Sequence, residues 1–320
     1  MSLSPDLIRG KINHLAIYPV KSGGRYDIPH GRITRSGLET ISGIKDHGLA
    51  VVRAKANADG LHEVVTQRDK RDSSDRTERP QSFSELALIK PSEKSGQLQL
   101  FWGSLGVEGV GIPSRADQPG DTPIQVWEHR GNAIEIPEGS EWLSDHLEFD
   151  VKLVEMGSDW NRLARQNYMQ NTNDGRFWDG YPIHFVNSRS VEELSQRAGF
   201  DVPWQDFRPQ IVADFGIPNV EHQIHSGRVG SVEFVCPKPC DRCSITGVNS
   251  ETGQLKVFKP LTELAKYRLW LNQDGDPKTI MGENLLPLNE ASVFQGDIIT
   301  ATDLRNPALV FGSRQEIMRK

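Results

Sequence analysis

The 320-residue chain has no block of basic residues, and its 37 Lys and Arg are outnumbered by 43 Asp and Glu, for a formal charge of -6. Nucleic-acid backbones and anionic membranes select for concentrated positive charge, so neither is expected as a partner. Long apolar runs are missing too. The opening stretch, MSLSPDLIRGKINHLAIYPV, is interrupted by Asp6, Arg9 and Lys11, which argues against a signal peptide or a membrane span and points to a cytoplasmic protein. Cysteine is scarce: Cys236, Cys240 and Cys243 are the only three. An odd number packed this closely cannot build a disulfide framework, which suggests a reducing compartment. Internal repeats, low-complexity tracts, nucleotide fingerprints, haem motifs and iron–sulfur cysteine sets are all lacking. Nothing points to a pyridoxal phosphate site.

What remains is a series of short alternating segments: KINHLAIYPVK, GLAVVRA, EVVTQR, LALIKP, QLQLFWG, VKLVEM, HFVNS, PQIVAD, SVEFVCP and DIITATD. Each is bounded by Gly, Pro, Asn, Asp or Ser. That pattern predicts a predominantly β, mixed α+β chain, closer to a barrel than to a doubly wound sheet, because few helical patterns intervene. Helices are expected at SEWLSDHL (140–147), at SRSVEELSQRAG (188–199) with Ser190 as N-cap and Glu193 completing a capping box, and at PLTELAKYR (260–268) behind Pro260. The polar stretch RDKRDSSDRTERPQSFSE after Gln67 reads as a mobile surface insertion. GVEGVG (106–111), NADG (57–60) and NQDGD (272–276) read as turns, not as phosphate or calcium loops. The length allows two β-rich domains, divided as 1–137 and 138–320.

The strongest chemical feature is PKPCDRCSIT (237–246), where an apolar strand runs into a Pro-stiffened turn presenting two thiols. The spacing C-x3-C-x2-C can contribute to a zinc site, but a structural zinc takes four ligands and no fourth lies nearby. A thioredoxin-like dithiol belongs on a βαβ unit, which is not evident here. The remaining reading is that the thiols are small buried hydrophobes, and Cys236, on the strand itself, fits it best.

Seven segments in order, AIYPVKS, FWDGYPIHFVNSRSV, FRPQIV, IHSGRVGSVEF, PCDRCSIT, KPLTELAKYR and QGD, resemble those of MOSC-domain proteins. More closely, they resemble the two-part group with an N-terminal β domain that includes the mitochondrial amidoxime reducing component. The resemblance implies a MOSC β-barrel after a smaller β-rich MOSC-N domain, and a molybdenum cofactor (molybdopterin) held with the thiolate of Cys243 on the metal. A thiolate is a soft, strongly donating ligand suited to that role. Cys240 would stand behind it.

A pterin cofactor also brings a phosphate and many polar edges. Lys21 and Ser22, at the end of a strand, offer an ammonium, a hydroxyl and backbone N–H groups. Arg208 offers a planar fork, and the resemblance puts it at the cofactor. Asn187, Ser188 and Ser190 precede or open a helix, where free N–H groups can hold an anion. Arg68 and Thr246 complete the expected cofactor-binding set. The implied activity is reduction of N-hydroxylated or other N-oxygenated small molecules, with electrons from a separate donor protein. Two alternatives stay open: sulfur transfer through a Cys243 persulfide, and non-catalytic carriage of the cofactor. The chain departs from the family at Asp46-His47 (usually Asp-Arg), at Arg208-Pro209-Gln210 (usually Arg-Pro-Asn) and at Thr246-Gly247-Val248-Asn249 (usually Thr-Thr-Val-Asp), which bears on the substrate. His47 replaces a cationic contact with a titratable one.

Overall fold

The alternation in KINHLAI becomes the strand Arg9–Ile17, which buries Ile12, Leu15 and Ile17. In the computed structural model, which describes residues 4–70, 82–105, 108–162, 175–305 and 310–317, this strand lies between Ile211–Asp214 and Ile298–Leu304. The sheet continues through Ile224–Val229, Val232–Val235 and Pro277–Pro287. It then returns to Ile183–Asn187, which pairs with Ile211–Asp214. Seven strands thereby close into a barrel, so no edge among them is left to pair with another chain. Ile183–Asn187 and Ile211–Asp214 run parallel, a pairing that needs a crossover, and the helix Ser188–Ala198 supplies it.

A second sheet orders Leu49–Arg53, Val151–Met156, His129–Glu135, Thr122–Val126 and His62–Glu63. The helix Pro137–Leu147 covers it, burying Leu143 and Leu147. Strand pairing therefore does not follow the chain across residue 137. The first long strand belongs to the barrel, whose closure would leave two open edges without it, while Val151–Met156 belongs to the second sheet. One continuous apolar core, from Ile8 to Ala301, joins the two. Among the described residues no helix is long and apolar enough to cross a membrane.

Several expectations need correction. The longest strand, Pro277–Pro287, falls in PKTIMGENLLP, which shows no alternation because most of it is buried on both faces. It nonetheless pairs with four neighbours, and Gly282 (φ +72) makes room where it meets Ile183–Asn187: a Cβ there would collide with the Phe185 carbonyl. The helix at 188–198 is capped by Asn187, whose Oδ1 accepts the Arg189 N–H at 3.1 Å, and not by Ser190. The third helix is only Pro260–Leu264, because Arg268 turns inward and is fully buried. Residues 71–81 of the expected insertion lie outside the described residues, but its end is core. Phe83 is fully buried against Phe149 and opens the turn Ser84–Leu88. Part of GVEGVG is a strand, Val110–Ile112, and positions 106–107 lie outside the described residues.

Candidate functional site

The strand Val232–Val235 hands the chain to Pro237 and Pro239, and the short strand Pro239–Asp241 then pairs with the central strand at Glu283 and Ile280. Cys243 follows in extended backbone and opens the turn Ser244–Gly247. Thr246 is buried and holds that turn, its N–H and Oγ1 both donating to the Cys243 carbonyl at 3.3 and 3.1 Å. The sulfur-bearing residue itself is half-buried. Cys236 is fully buried, and burial, reinforced by the Glu283 charge, pushes its thiol well up. It behaves as packing.

Between Cys240 and Cys243 stands Arg242, which residue typing alone did not select. Its Nη1 lies 2.8 Å from the Cys240 sulfur and 3.5 Å from His184 Nδ1, and its Nη2 donates to the Phe207 carbonyl at 2.7 Å. Burial opposes its charge, but the nearby Cys240 and Cys243 outweigh that and hold the guanidinium charged. His184 is kept neutral by burial and then by Arg242. Its Nε2–H donates to the Met281 carbonyl at 2.9 Å, which leaves Nδ1 as the acceptor. Burial raises the Cys240 thiol pKa, and Arg242 partly offsets the rise.

Arg208 sits on the other side of Phe207 in left-handed backbone (φ +50). Its guanidinium stacks 4.2 Å from the Tyr18 ring centroid and donates to the Gly23 carbonyl at 2.5 Å. Its Nη2 is buried without a partner, as are the Tyr18 hydroxyl and Arg242 Nε. Arg208 and Tyr18 line a cleft of about 460 Å³ shared with Arg25, Lys90, Ser250 and Glu251. Buried donors of this kind usually have partners, so these three leave hydrogen-bonding capacity that a polar ligand could use.

Lys21 and Ser22 lie next to this region. Lys21 is buried and pairs with Asp179, and its ammonium lies 5.8 Å from the Trp127 ring centroid. Arg68 stacks on the same indole at 5.0 Å. Burial raises the Asp179 carboxyl, but Lys21, Arg68 and His47 together hold it well below the usual carboxylate range. Ser22 is in left-handed backbone (φ +65), and its carbonyl accepts Gln67 Nε2 at 2.6 Å. His47 (φ +51) donates through Nδ1 to buried Asp46 at 2.6 Å. Asp46 also accepts the Tyr18 N–H at 2.7 Å and Gln210 Nε2 at 3.1 Å. The departure Gln210 is thus tied to the departure His47 through one carboxylate.

The fold gathers Lys21, Ser22 and Arg68 at one edge and Cys243 and Thr246 at another, with Arg208 reaching Gly23 from between them. It does not bring Asn187 or Ser190 there. Asn187 Nδ2 donates to Glu221 at 2.9 Å, and Ser190 Oγ donates to the same carboxylate at 2.7 Å. Both serve a buried network of Glu221, His222, Arg268, Glu283 and Arg305. Ser188 is half-buried at the start of that helix. Among the described residues no three His, Cys, Asp or Glu side chains converge as a protein-only metal site.

Residues 172–300 match the sequence profile of the MOSC domain. The mitochondrial amidoxime-reducing component 1 of Danio rerio is 30% identical over 274 residues, covering 84% of this chain and 76% of that protein. The chain belongs to the MOSC-domain proteins. The molybdenum cofactor sulfurases of Drosophila yakuba and Drosophila melanogaster are each 26% identical over 271 residues, 82% of this chain and 31% of theirs. The chain thus spans about a third of the length of those relatives. A solved structure, the YUAD protein from Bacillus subtilis, aligns over 91% of this chain and 94% of that one at 10% identity and TM-score 0.38, and adds nothing to the assignment.

Proposed function

We propose that this protein is an oxidoreductase that holds a molybdenum cofactor through Cys243 and reduces N-hydroxylated or N-oxygenated small molecules with electrons from a separate donor protein. The observation that carries the reading is that the cysteine turn docks through Arg242 on the Phe207 carbonyl, one residue before Arg208, whose Nη2 is buried without a partner, as is the Tyr18 hydroxyl beneath it. The names of two groups of relatives, an amidoxime-reducing component and a molybdenum cofactor sulfurase, support it.

The donor set suits the group. Cys243 is the soft ligand, Arg242 places a positive charge in the same turn, and Arg208 and the Tyr18 hydroxyl supply donors for the anionic and polar edges of a pterin. Lys21, Ser22 and Arg68 flank them. When bound, the cofactor supplies a metal that takes the oxygen of an N–O bond and exchanges electron pairs. The net change, R–NHOH + 2e⁻ + 2H⁺ → R–NH₂ + H₂O, needs two protons. Asp46 accepts from His47 Nδ1, which leaves Nε2 as the ring nitrogen not engaged by that carboxylate.

The test is molybdenum and pterin content of protein made in a cofactor-competent host, beside Cys243→Ala. Wild type is expected to carry both, and the variant to lose most of the metal. Absence of molybdenum from wild type refutes the reading. Bound cofactor without turnover of an N-hydroxyamidine and reduced viologen would instead favour a carrier, and a labile extra sulfur on Cys243 a sulfur-transfer role.

A further inference from the structure

Away from the cysteine turn, a cavity of about 370 Å³ opens between the 42–48 loop and the hairpin turn at Gly96. Its apolar lining includes Ile44, Leu49, Leu98 and Ile112, all nearly or fully buried. Its polar end is made by Ser114 and Glu155.

Glu155 is the unusual member. In the strand Val151–Met156 it lies on the same face as Val151 and Leu153, both of which belong to the main core. An apolar residue would suit that position at far lower desolvation cost. The residue is only 9% exposed, yet its carboxylate's hydrogen-bond partners are neutral: Ser114 Oγ at 2.9 Å and the Arg115 N–H at 2.5 Å. The Arg115 guanidinium turns away to Glu138 at 3.3 Å. Lys45 lines the same cavity but makes no ion pair with Glu155 among the described residues. Burial raises the Glu155 pKa, and the charges of Lys45 and Arg115 act on it only as minor opposing influences. A buried carboxylate facing a cavity without its own cation is half of an ion pair.

We propose that this cavity is a second small-molecule site, which takes a compact ligand with an apolar body and one cationic amine seated on Glu155. Its volume is within the range of ligand pockets, and its walls divide as such ligands require, apolar along the body and polar at one end. The inference uses none of the residues assigned to the cofactor, so it stands or falls independently of the proposed activity.

Benzylamine is a suitable probe, with benzyl alcohol as its neutral isostere. Isothermal titration calorimetry on wild type is expected to give saturable one-to-one binding of benzylamine, at least tenfold tighter than benzyl alcohol. Glu155→Gln preserves shape and most hydrogen bonding, and is expected to weaken benzylamine at least tenfold while leaving the alcohol unchanged. Should that variant misfold, Ser42→Trp at an exposed position on the rim serves instead, narrowing the entrance and weakening benzylamine by a similar factor. The proposal is overturned if benzylamine shows no saturable binding, if the alcohol binds equally well, or if the folded variants bind as wild type does.

Discussion

Replacing Arg242 by Met should detune the cysteine turn without touching either thiol. The guanidinium donates to the Cys240 sulfur at 2.8 Å, a charge-assisted hydrogen bond of the kind worth about 1.5–3 kcal/mol. Its loss should push the Cys240 pKa further up than burial already does. At about 1.4 kcal/mol per tenfold, the thiolate fraction below the midpoint should fall about ten- to hundredfold. The assay is the pH dependence of iodoacetamide alkylation, followed peptide by peptide in cofactor-free protein. Met also leaves the Phe207 carbonyl without the donor now 2.7 Å away, at a cost of about 1–3 kcal/mol in urea unfolding. Arg242→Lys should recover much of the alkylation profile, because a charge is restored, but less of the stability, because a single ammonium cannot span both partners. An unchanged midpoint for Cys240 in Arg242→Met would refute the electrostatic reading of the turn.

Glu283 offers a pH test. Burial pushes its carboxyl up to about 8 despite Arg305 at 2.5 Å, while burial and then Arg268 keep His222 neutral. Between pH 6.5 and 8 the folded chain therefore keeps a proton that the unfolded chain has released, so stability should fall as pH rises, by at most about 1.4 kcal/mol per unit. Glu283→Gln should flatten that slope in urea unfolding at several pH values, and equal slopes would count against the assignment. Phe83→Ala should cost about 3–5 kcal/mol, because the ring is fully buried; a loss below about 1 kcal/mol, also by urea unfolding, would return this segment to the surface. Gly282→Ala should destabilise by several kcal/mol or abolish soluble expression, since the residue combines φ +72 with contact against the Phe185 carbonyl. A thermal midpoint within a degree or two of wild type would contradict this.

The elements legible in the sequence are those with one wet face. Arg9–Ile17 and Gln97–Trp102 alternate because one side meets water, and the helix Ser188–Ala198 shows its apolar stripe for the same reason. Pro277–Pro287 was hidden because the strand most central to the barrel is buried on both sides, which erases periodicity and leaves its Pro, Gly and Asn to read as a loop. Barrel closure was hidden as well. It joins Lys11 to Asp214 and Arg9 to Thr300, contacts that no local pattern encodes.

For the site, residue type proved more legible than residue direction. A serine or asparagine ahead of a helix can equally face an outside anion or an inside carboxylate, and Glu221, more than thirty positions away, decides for Asn187 and Ser190. Arg242 presents the converse case: it lay within the cysteine motif, yet its importance depends on Phe207 and His184 arriving from two other elements. Arg208 carries the most information of all, because its fork is only half used. Nη1 holds the Gly23 carbonyl while Nη2 is buried without a partner. A fold that desolvates a guanidinium donor and then leaves it unmatched forgoes a hydrogen bond in every molecule. Such an arrangement is sustained more readily where a ligand supplies the missing acceptor, which is why the unused donor, beside the cysteine turn, is the physical ground of the proposed cofactor site.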